Sequence, residues 1–428
     1  MGDIGDAFES PLGLTWALIN RHKQKKNLEV IQQKNIDAQG IVYYEPSNIE
    51  AFFEYTEPIE NIIISGGEEF IRLRALARCM ECAYSQGYTP VVLHANNYNL
   101  ENYLASVFGT TNISYLNGQF PYYDPFIGLT DNEISQIILN STTENYEIKG
   151  LGKYYIDGIS AFIRSKKIKP YLWMYITCPH MEFNDKVNDA VDKGLITEDY
   201  GRRIMSQIVQ GEMERGNIEN FFAKLRNEGE YIIAKKNTLS NAVSVNSVAA
   251  LKGAVVFDIR NSSNMLLINI ILSEIEMLKN KGEKVFLCLD GIQVTNNQLL
   301  KNYMSSSGGQ SPICMLSHDA YADFLGDDKL FYSVLGKTSK VILSKHISAF
   351  SCNKYSEFIG SYDKQEITET YTGNLNLIGN FSYGTTSSKN ISIKRDNKIK
   401  PEVILGLNDD EVFIVDNYNG EIAHTTVI

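Results

Sequence analysis

Residues 61–94 read as strand, glycine turn, helix and strand, and no other segment narrows the folds open to this chain so far. Asn61-Ile62-Ile63-Ile64 is a short apolar run that ends at Ser65-Gly66-Gly67. Leu73, Leu76, Ala77, Met80 and Ala83 then recur at helical spacing, and Gly87 closes the helix. Thr89-Pro90-Val91-Val92-Leu93-His94 follows at once as a second strand. Two strands joined through a helix are the basic step of a parallel sheet, so an α/β fold is expected.

The same grammar returns downstream. Gly253 to Ile259 reads as a strand and residues 265–280 as an apolar helix. Lys284-Val285-Phe286-Leu287-Cys288-Leu289-Asp290 is apolar at successive positions, as a strand covered on both faces must be. Further strands are expected at 312–316, 340–344 and 413–415. Residues 153–232 differ in texture: they are polar, with Ile204, Ile208, Phe221, Phe222 and Leu225 at helical spacing. They are expected to form a helical insertion domain. The α/β domain would then comprise 58–152 and 233–428, preceded by an N-terminal segment, 1–57. Within the insertion, Tyr171, Trp173 and Tyr175 read more simply as core than as an interface. Residues 370–400, rich in Asn, Ser, Thr and Gly, are expected to be a loop or an irregular hairpin.

Composition removes several function classes. The 428 residues carry a formal net charge of -11, which argues against non-specific nucleic-acid binding by the whole surface. The short basic run His22-Lys23-Gln24-Lys25-Lys26 reads as a solvated helix face. Cys79 and Cys82 form a C-x-x-C inside a helical apolar pattern, with no second pair to complete a zinc set, so no cofactor or metal is expected. Scattered cysteines, an acidic N-terminus and the lack of a long apolar run lead to the expectation of a cytoplasmic protein without a membrane span.

The turn at Ser65-Gly66-Gly67 stands where a phosphate loop would, after a strand and before a helix. Laying that pattern from Gly66 puts Ile71 at the second glycine, Arg72 at the lysine and Leu73 at the magnesium-binding hydroxyl. Leu73 cannot ligate a metal, and Arg72 is a planar fork rather than a point charge. Glu68 and Glu69 fall inside the loop. They are expected to take the place of phosphate as the helix's negative partner. Leu287-Cys288-Leu289-Asp290 has the form of a Walker B strand, but Gly291 follows where a hydrolysing enzyme usually carries Glu. Gly336-Lys337-Thr338 imitates the end of a phosphate loop, yet it leads into a strand instead of a helix. No nucleophile–base set can be assembled from the six dispersed histidines.

In this order the elements resemble the HerA/FtsK superfamily of P-loop ATPases, and within it the coupling-protein ATPases of type IV secretion and conjugation. The resemblance rests on Ile62 to Gly67, Val91 to Asn97, Gly253 to Ile259, the strand ending at Asp290, and Ile313 to His318. It implies a RecA-like P-loop NTPase fold with a mostly parallel sheet and an inserted all-α domain. It also places His318 at the family's sensor position. Ser65, Gly66, Gly67, Glu68, Glu69, Arg72 and Leu73 would be a vestigial nucleotide loop, and Asp290 with Gly291 a vestigial Walker B, with no catalytic residue. The function implied is that of a pseudo-ATPase scaffold or cargo-binding subunit in a secretion, conjugation or DNA-mobilisation assembly. Its partners would be an active ATPase paralogue, secretion cargo or further copies of the chain; nucleic acid is left open. An unconventional ATPase motor using Arg72, and an α/β protein of other ancestry, are the competing readings.

Overall fold

The structure is a computed structural model that describes residues 11–109, 111–294, 297–373 and 385–428. A helix, Pro11–Gln39, leads into strand β1 (Ile41–Tyr43) and then β2 (Asn61–Ser65). The helix Glu69–Ser85 connects β2 to β3 (Thr89–His94), and Tyr98–Phe108 connects β3 to β4 (Ile113–Leu116). After the helical region come β5 (Ala254–Asp258), β6 (Val285–Asp290), β7 (Ile313–Ser317) and β8 (Thr338–Leu343). The chain ends with the strands β9 (Ser361–Gly373), β10 (Thr385–Asn397), β11 (Glu411–Asp416) and β12 (Glu421–Thr426).

Ten of these strands form one sheet in the order β1-β12-β11-β8-β2-β7-β6-β3-β5-β4. From β8 to β4 every neighbouring pair is parallel. The hairpin β11–β12 is added antiparallel to β8. The six strands expected from sequence at 61–64, 90–93, 254–259, 285–290, 312–316 and 340–344 therefore all lie in the parallel part.

Alternation along each strand divides the interior into two layers. Ile63, Val91, Leu93, Phe257, Leu287, Leu289 and Met315 join one apolar cluster. Ile62, Ile64, Val92, Val256, Phe286, Cys288 and Cys314 join the other. Each such side chain contributes roughly 1.5–3 kcal/mol by leaving water. The helix Glu69–Ser85 covers the second layer through Leu73, Leu76, Cys79 and Met80, while Met265–Asn280 covers the first. All six cysteines are free thiols.

Residues 153–232 are helical, with segments at Gly152–Ser165, Leu172–Ile176, Phe183–Asp192, Glu198–Gly211 and Arg215–Gly229. Two of these helices cross closely because a glycine stands at the contact. A Cβ on Gly158 would lie 2.6 Å from Ile208 Cδ1, and one on Gly211 would lie 2.5 Å from the Tyr155 nitrogen. Phe221, Phe222 and Leu225 belong to the same apolar cluster as Leu267 and Leu289 of the sheet layer, so the core runs on unbroken from one to the other. Tyr171 and Tyr175 are buried in it. Trp173 is half-buried, with the Lys235 ammonium 4.8 Å from its ring.

The expected irregular segment near 370–400 is regular where it is described. β9 and β10 form a two-stranded antiparallel ribbon with continuous register from Ser361↔Asn397 to Gly373↔Thr385. Residues 374–384 of that expectation lie outside the described residues. The hairpin alternative is therefore the one observed, with regular pairing in place of irregular. Among the described residues no helix is long and apolar enough to cross a membrane.

Candidate functional site: a glycine turn closed by its own arginine

The carboxyl ends of β2, β3, β6 and β7 open on one edge of the sheet, where ligands of parallel α/β proteins usually sit. A cleft of ≈ 390 Å³ lies there, lined by Glu69, Arg72, Asn97, Asp290, Gly291 and His318 among others. Glu69, Arg72, Asp290, Gly291 and His318 are the residues the loop, Walker B and sensor patterns single out, and they come from three separate strand ends; Asn97 adds a fourth.

The turn itself is folded against the chain rather than toward the cleft. Gly66 and Gly67 both adopt positive φ, 85° and 64°, a conformation that favours glycine. Their amides are already used: Gly66 N–H donates to Ser317 O at 3.0 Å and Gly67 N–H to Lys345 O at 2.9 Å. A Cβ on Gly66 would stand 2.5 Å from His346 Cε1, and one on Gly67 2.4 Å from Ser344 Cβ. The turn is thus pressed onto the segment that follows β8.

Ser65 anchors that contact. Its hydroxyl accepts from the Ala320 amide at 2.9 Å and from Tyr355 O–H at 2.9 Å, and lies 2.8 Å from His346 Nε2. His346 Nδ1 is 2.7 Å from Ser344 O, so Nδ1 carries the proton and Nε2 accepts from Ser65. Burial lowers the His346 pKa, in keeping with a neutral ring. Ser65 and His346 resemble a nucleophile and its base, but both are buried beneath the turn.

Arg72 supplies what the phosphate loop pattern assigns to lysine, but it faces the protein. Its Nη1 donates to Gly67 O at 2.6 Å and Gly66 O at 3.1 Å, and its Nη2 lies 3.1 Å from His318 Nε2. Arginine has only donors, so His318 Nε2 is the acceptor and its proton sits on Nδ1. Burial, and then the Arg72 charge, lower the His318 pKa. Burial also lowers the Arg72 pKa, opposed by the nearby Asp290 and Glu69.

The two glutamates stand at the N-terminus of the helix but do not bond to the Gly66 or Gly67 amides. Glu68 is the N-cap residue of the helix, is exposed, and makes no side-chain cap hydrogen bond. Glu69 Oε2 accepts from Asn99 Nδ2 at 2.8 Å. The side chain against the turn's backbone is a cation bound to carbonyl oxygens, not a carboxylate bound to amides. The reason is geometric: once the Gly66 and Gly67 amides turn inward, their carbonyls face the helix and require donors. Ile71 and Leu73 are buried in the apolar layer.

At the end of β6, Asp290 Oδ2 accepts from Asn97 Nδ2 at 2.6 Å. Burial raises the Asp290 pKa, opposed by Asn97, His94 and Arg72. Gly291 turns the chain away with φ 64°. Asn97, missed from sequence, also caps the following helix by accepting from the Leu100 amide at 3.0 Å. Its place just after β3, at the end of the run Val91 to Asn97, was the only available signal. His346 and Tyr355 carried none, being 281 and 290 residues from Ser65.

No family model matches this chain, and no curated protein matches it. Solved structures do. The bacterial conjugative coupling protein TrwBdeltaN70, in its unbound monoclinic form, superposes with a TM-score of 0.53 at 11% identity, over 86% of this chain and 84% of that one. The two chains share a fold. The same plasmid coupling protein with a non-hydrolysable ATP analogue gives a TM-score of 0.49 at 11% identity over 86% and 85%. VirB4 of Thermoanaerobacter pseudethanolicus gives 0.45 at 11% identity over 89% and 92%. The mixed α/β RecA-like P-loop architecture expected from the order of elements is therefore present, with the glycine turn after β2 and Asp290 two strands away in the sheet.

Proposed function

We propose that this protein is a pseudo-ATPase: a coupling-protein-like scaffold or cargo-binding subunit of a secretion, conjugation or DNA-mobilisation assembly. One observation carries the reading. The amides of Gly66 and Gly67, which a phosphate would need, are bonded to Ser317 O and Lys345 O, and Arg72 covers the opposite side of the turn. An incoming triphosphate would find no free N–H group on Gly66 or Gly67. It would also meet Glu69 and Asp290 in the cleft. Two like charges at about 4 Å repel by roughly 4 kcal/mol at an effective dielectric of 20, about three powers of ten in affinity. Leu73, buried in the core, offers no magnesium ligand. The partners in this reading are proteins, namely an active ATPase paralogue, cargo or further copies of the chain.

The alternative is an ATPase that binds nucleotide unconventionally. Arg72, Asp290 and His318 lining one open cleft favour it. Calorimetric titration of Mg-ATP into the purified protein separates the two. The pseudo-ATPase reading expects no heat of binding at micromolar to millimolar nucleotide. Micromolar binding that disappears in Arg72→Ala would establish the alternative.

A further inference from the structure

Away from the glycine turn, a second cleft of ≈ 410 Å³ opens between the turn 124–129, the end of the helix Gly152–Ser165, residues 169–171, and Leu239 with Ala242. Phe126, Ile127, Leu129, Pro170 and Tyr171 give it apolar wall, and Arg164 and Lys169 line it as well. Asp124 also lines it, yet is only 2% exposed. The carboxylate is half used. Oδ1 accepts from the Leu172 amide at 3.0 Å and the Phe126 amide at 3.3 Å, while Oδ2 accepts from no donor among the described residues. Burial pushes the Asp124 pKa up to about 6, and no cation offsets it. Of the two cations that line the cleft, Arg164 is committed elsewhere: it pairs with Asp131 and donates to Leu129 O at 3.0 Å. Lys169 is exposed.

An ionised carboxylate in an apolar cleft gains most from a cation that brings its own apolar stem. We infer that this cleft receives a lysine or arginine side chain of a partner protein, its charged tip on Asp124 Oδ2 and its methylenes along Phe126, Leu129 and Tyr171. The inference does not depend on how the glycine turn treats nucleotide. The leucine amide that Asp124 holds begins the helix Leu172–Ile176. An occupant would thus be read by two segments that are distant in sequence but fixed to each other by this side chain.

The test uses the full chain, isotopically labelled, and three neutral-backbone probes: the Nα-acetyl N-methylamides of lysine, arginine and norleucine. Titration by amide NMR is expected to give millimolar binding of the two cationic probes, with shifts at Leu172 and Phe126. Norleucine, which has the stem without the charge, should bind about tenfold or more weakly. Asp124→Asn keeps an oxygen for both amides and should weaken the cationic probes by about tenfold while leaving norleucine unchanged. Equal binding of lysine and norleucine probes would overturn the inference. So would undiminished binding by Asp124→Asn, shifts confined to other residues, or no binding up to about 20 mM. If Asp124→Asn does not fold, the lysine–norleucine comparison on the wild-type chain decides alone.

Discussion

Arg72 Nη1 lies 2.6 Å from the carbonyl oxygen of Gly67, five residues earlier, and so closes the turn from which its own helix begins. The bond reverses the polarity of a phosphate loop: the side chain donates and the backbone accepts. With His318 Nε2 on the other guanidinium nitrogen, the arginine also ties the turn to the end of β7.

Replacing Arg72 with methionine should leave one buried carbonyl, one part-buried carbonyl and His318 without their donor. Hydrogen bonds from a charged group contribute about 1.5–3 kcal/mol, so a loss of about 2–3 kcal/mol is expected, measured by urea unfolding. Arg72→Lys should recover part of it, because one ammonium can still reach the carbonyls. A neutral outcome for Arg72→Met would show that the turn holds its shape without the arginine.

Gly66→Ala and Gly87→Ala make a matched pair. Both glycines have positive φ, 85° and 79°, but only Gly66 has neighbours within reach of a Cβ. Gly87→Ala should cost about 1 kcal/mol for the backbone conformation alone. Gly66→Ala adds a collision with His346 and with the Lys345 carbonyl oxygen, and should cost more than about 3 kcal/mol. Equal losses in thermal unfolding would mean that the segment after β8 yields easily.

Glu274 supplies a pH dependence. It is fully buried, accepting from the Asn246 amide at 2.9 Å and from Tyr123 O–H at 2.8 Å. Burial pushes its pKa from 4.5 up to about 8. A carboxyl raised in the folded state binds its proton more tightly there than in the unfolded chain. Its contribution is therefore complete below pH 4.5 and is lost as the pH rises through about 8. Glu274→Gln should flatten the stability profile over that window and be the more stable protein at its alkaline end. Parallel profiles for the two proteins would contradict this.

The ribbon depends on a side-chain amide. Asn35 Nδ2 donates to Gln365 O at 3.0 Å and Asn35 Oδ1 accepts from Gln365 N–H at 2.8 Å. The helix Pro11–Gln39 in this way occupies backbone groups on the outer edge of β9, which would otherwise stand open. Asn35→Ala should accelerate hydrogen exchange of the Gln365 amide about fivefold, the equivalent of about 1 kcal/mol. Unchanged exchange would place the protection elsewhere.

The sequence by itself determined the sheet. Apolar runs at Ile62–Ile64, Val91–Leu93 and Val285–Leu289 are buried on both faces, and only a parallel strand with helices above and below places successive residues in two cores. The helical stretch 153–232 was equally legible, because periodicity of 3.6 residues is a local property. The candidate site was legible as a set of positions: Arg72, Asp290 and His318 each follow an apolar run that reads as a parallel strand, and parallel strands end on one edge of the sheet. What those residues do there was decided by tertiary structure alone. Whether Gly66 and Gly67 offer amides or carbonyls to the cleft depends on Ser317, Lys345 and His346, which lie about 250–280 residues away in the chain. No local pattern carries that information, since a backbone hydrogen bond depends on where a group stands and not on its side chain. The glutamates stand at the electropositive helix terminus that their charge suggests, Glu68 as N-cap and Glu69 in the first turn, but the turn's amides are spent inside the protein and its carbonyls are held by an arginine.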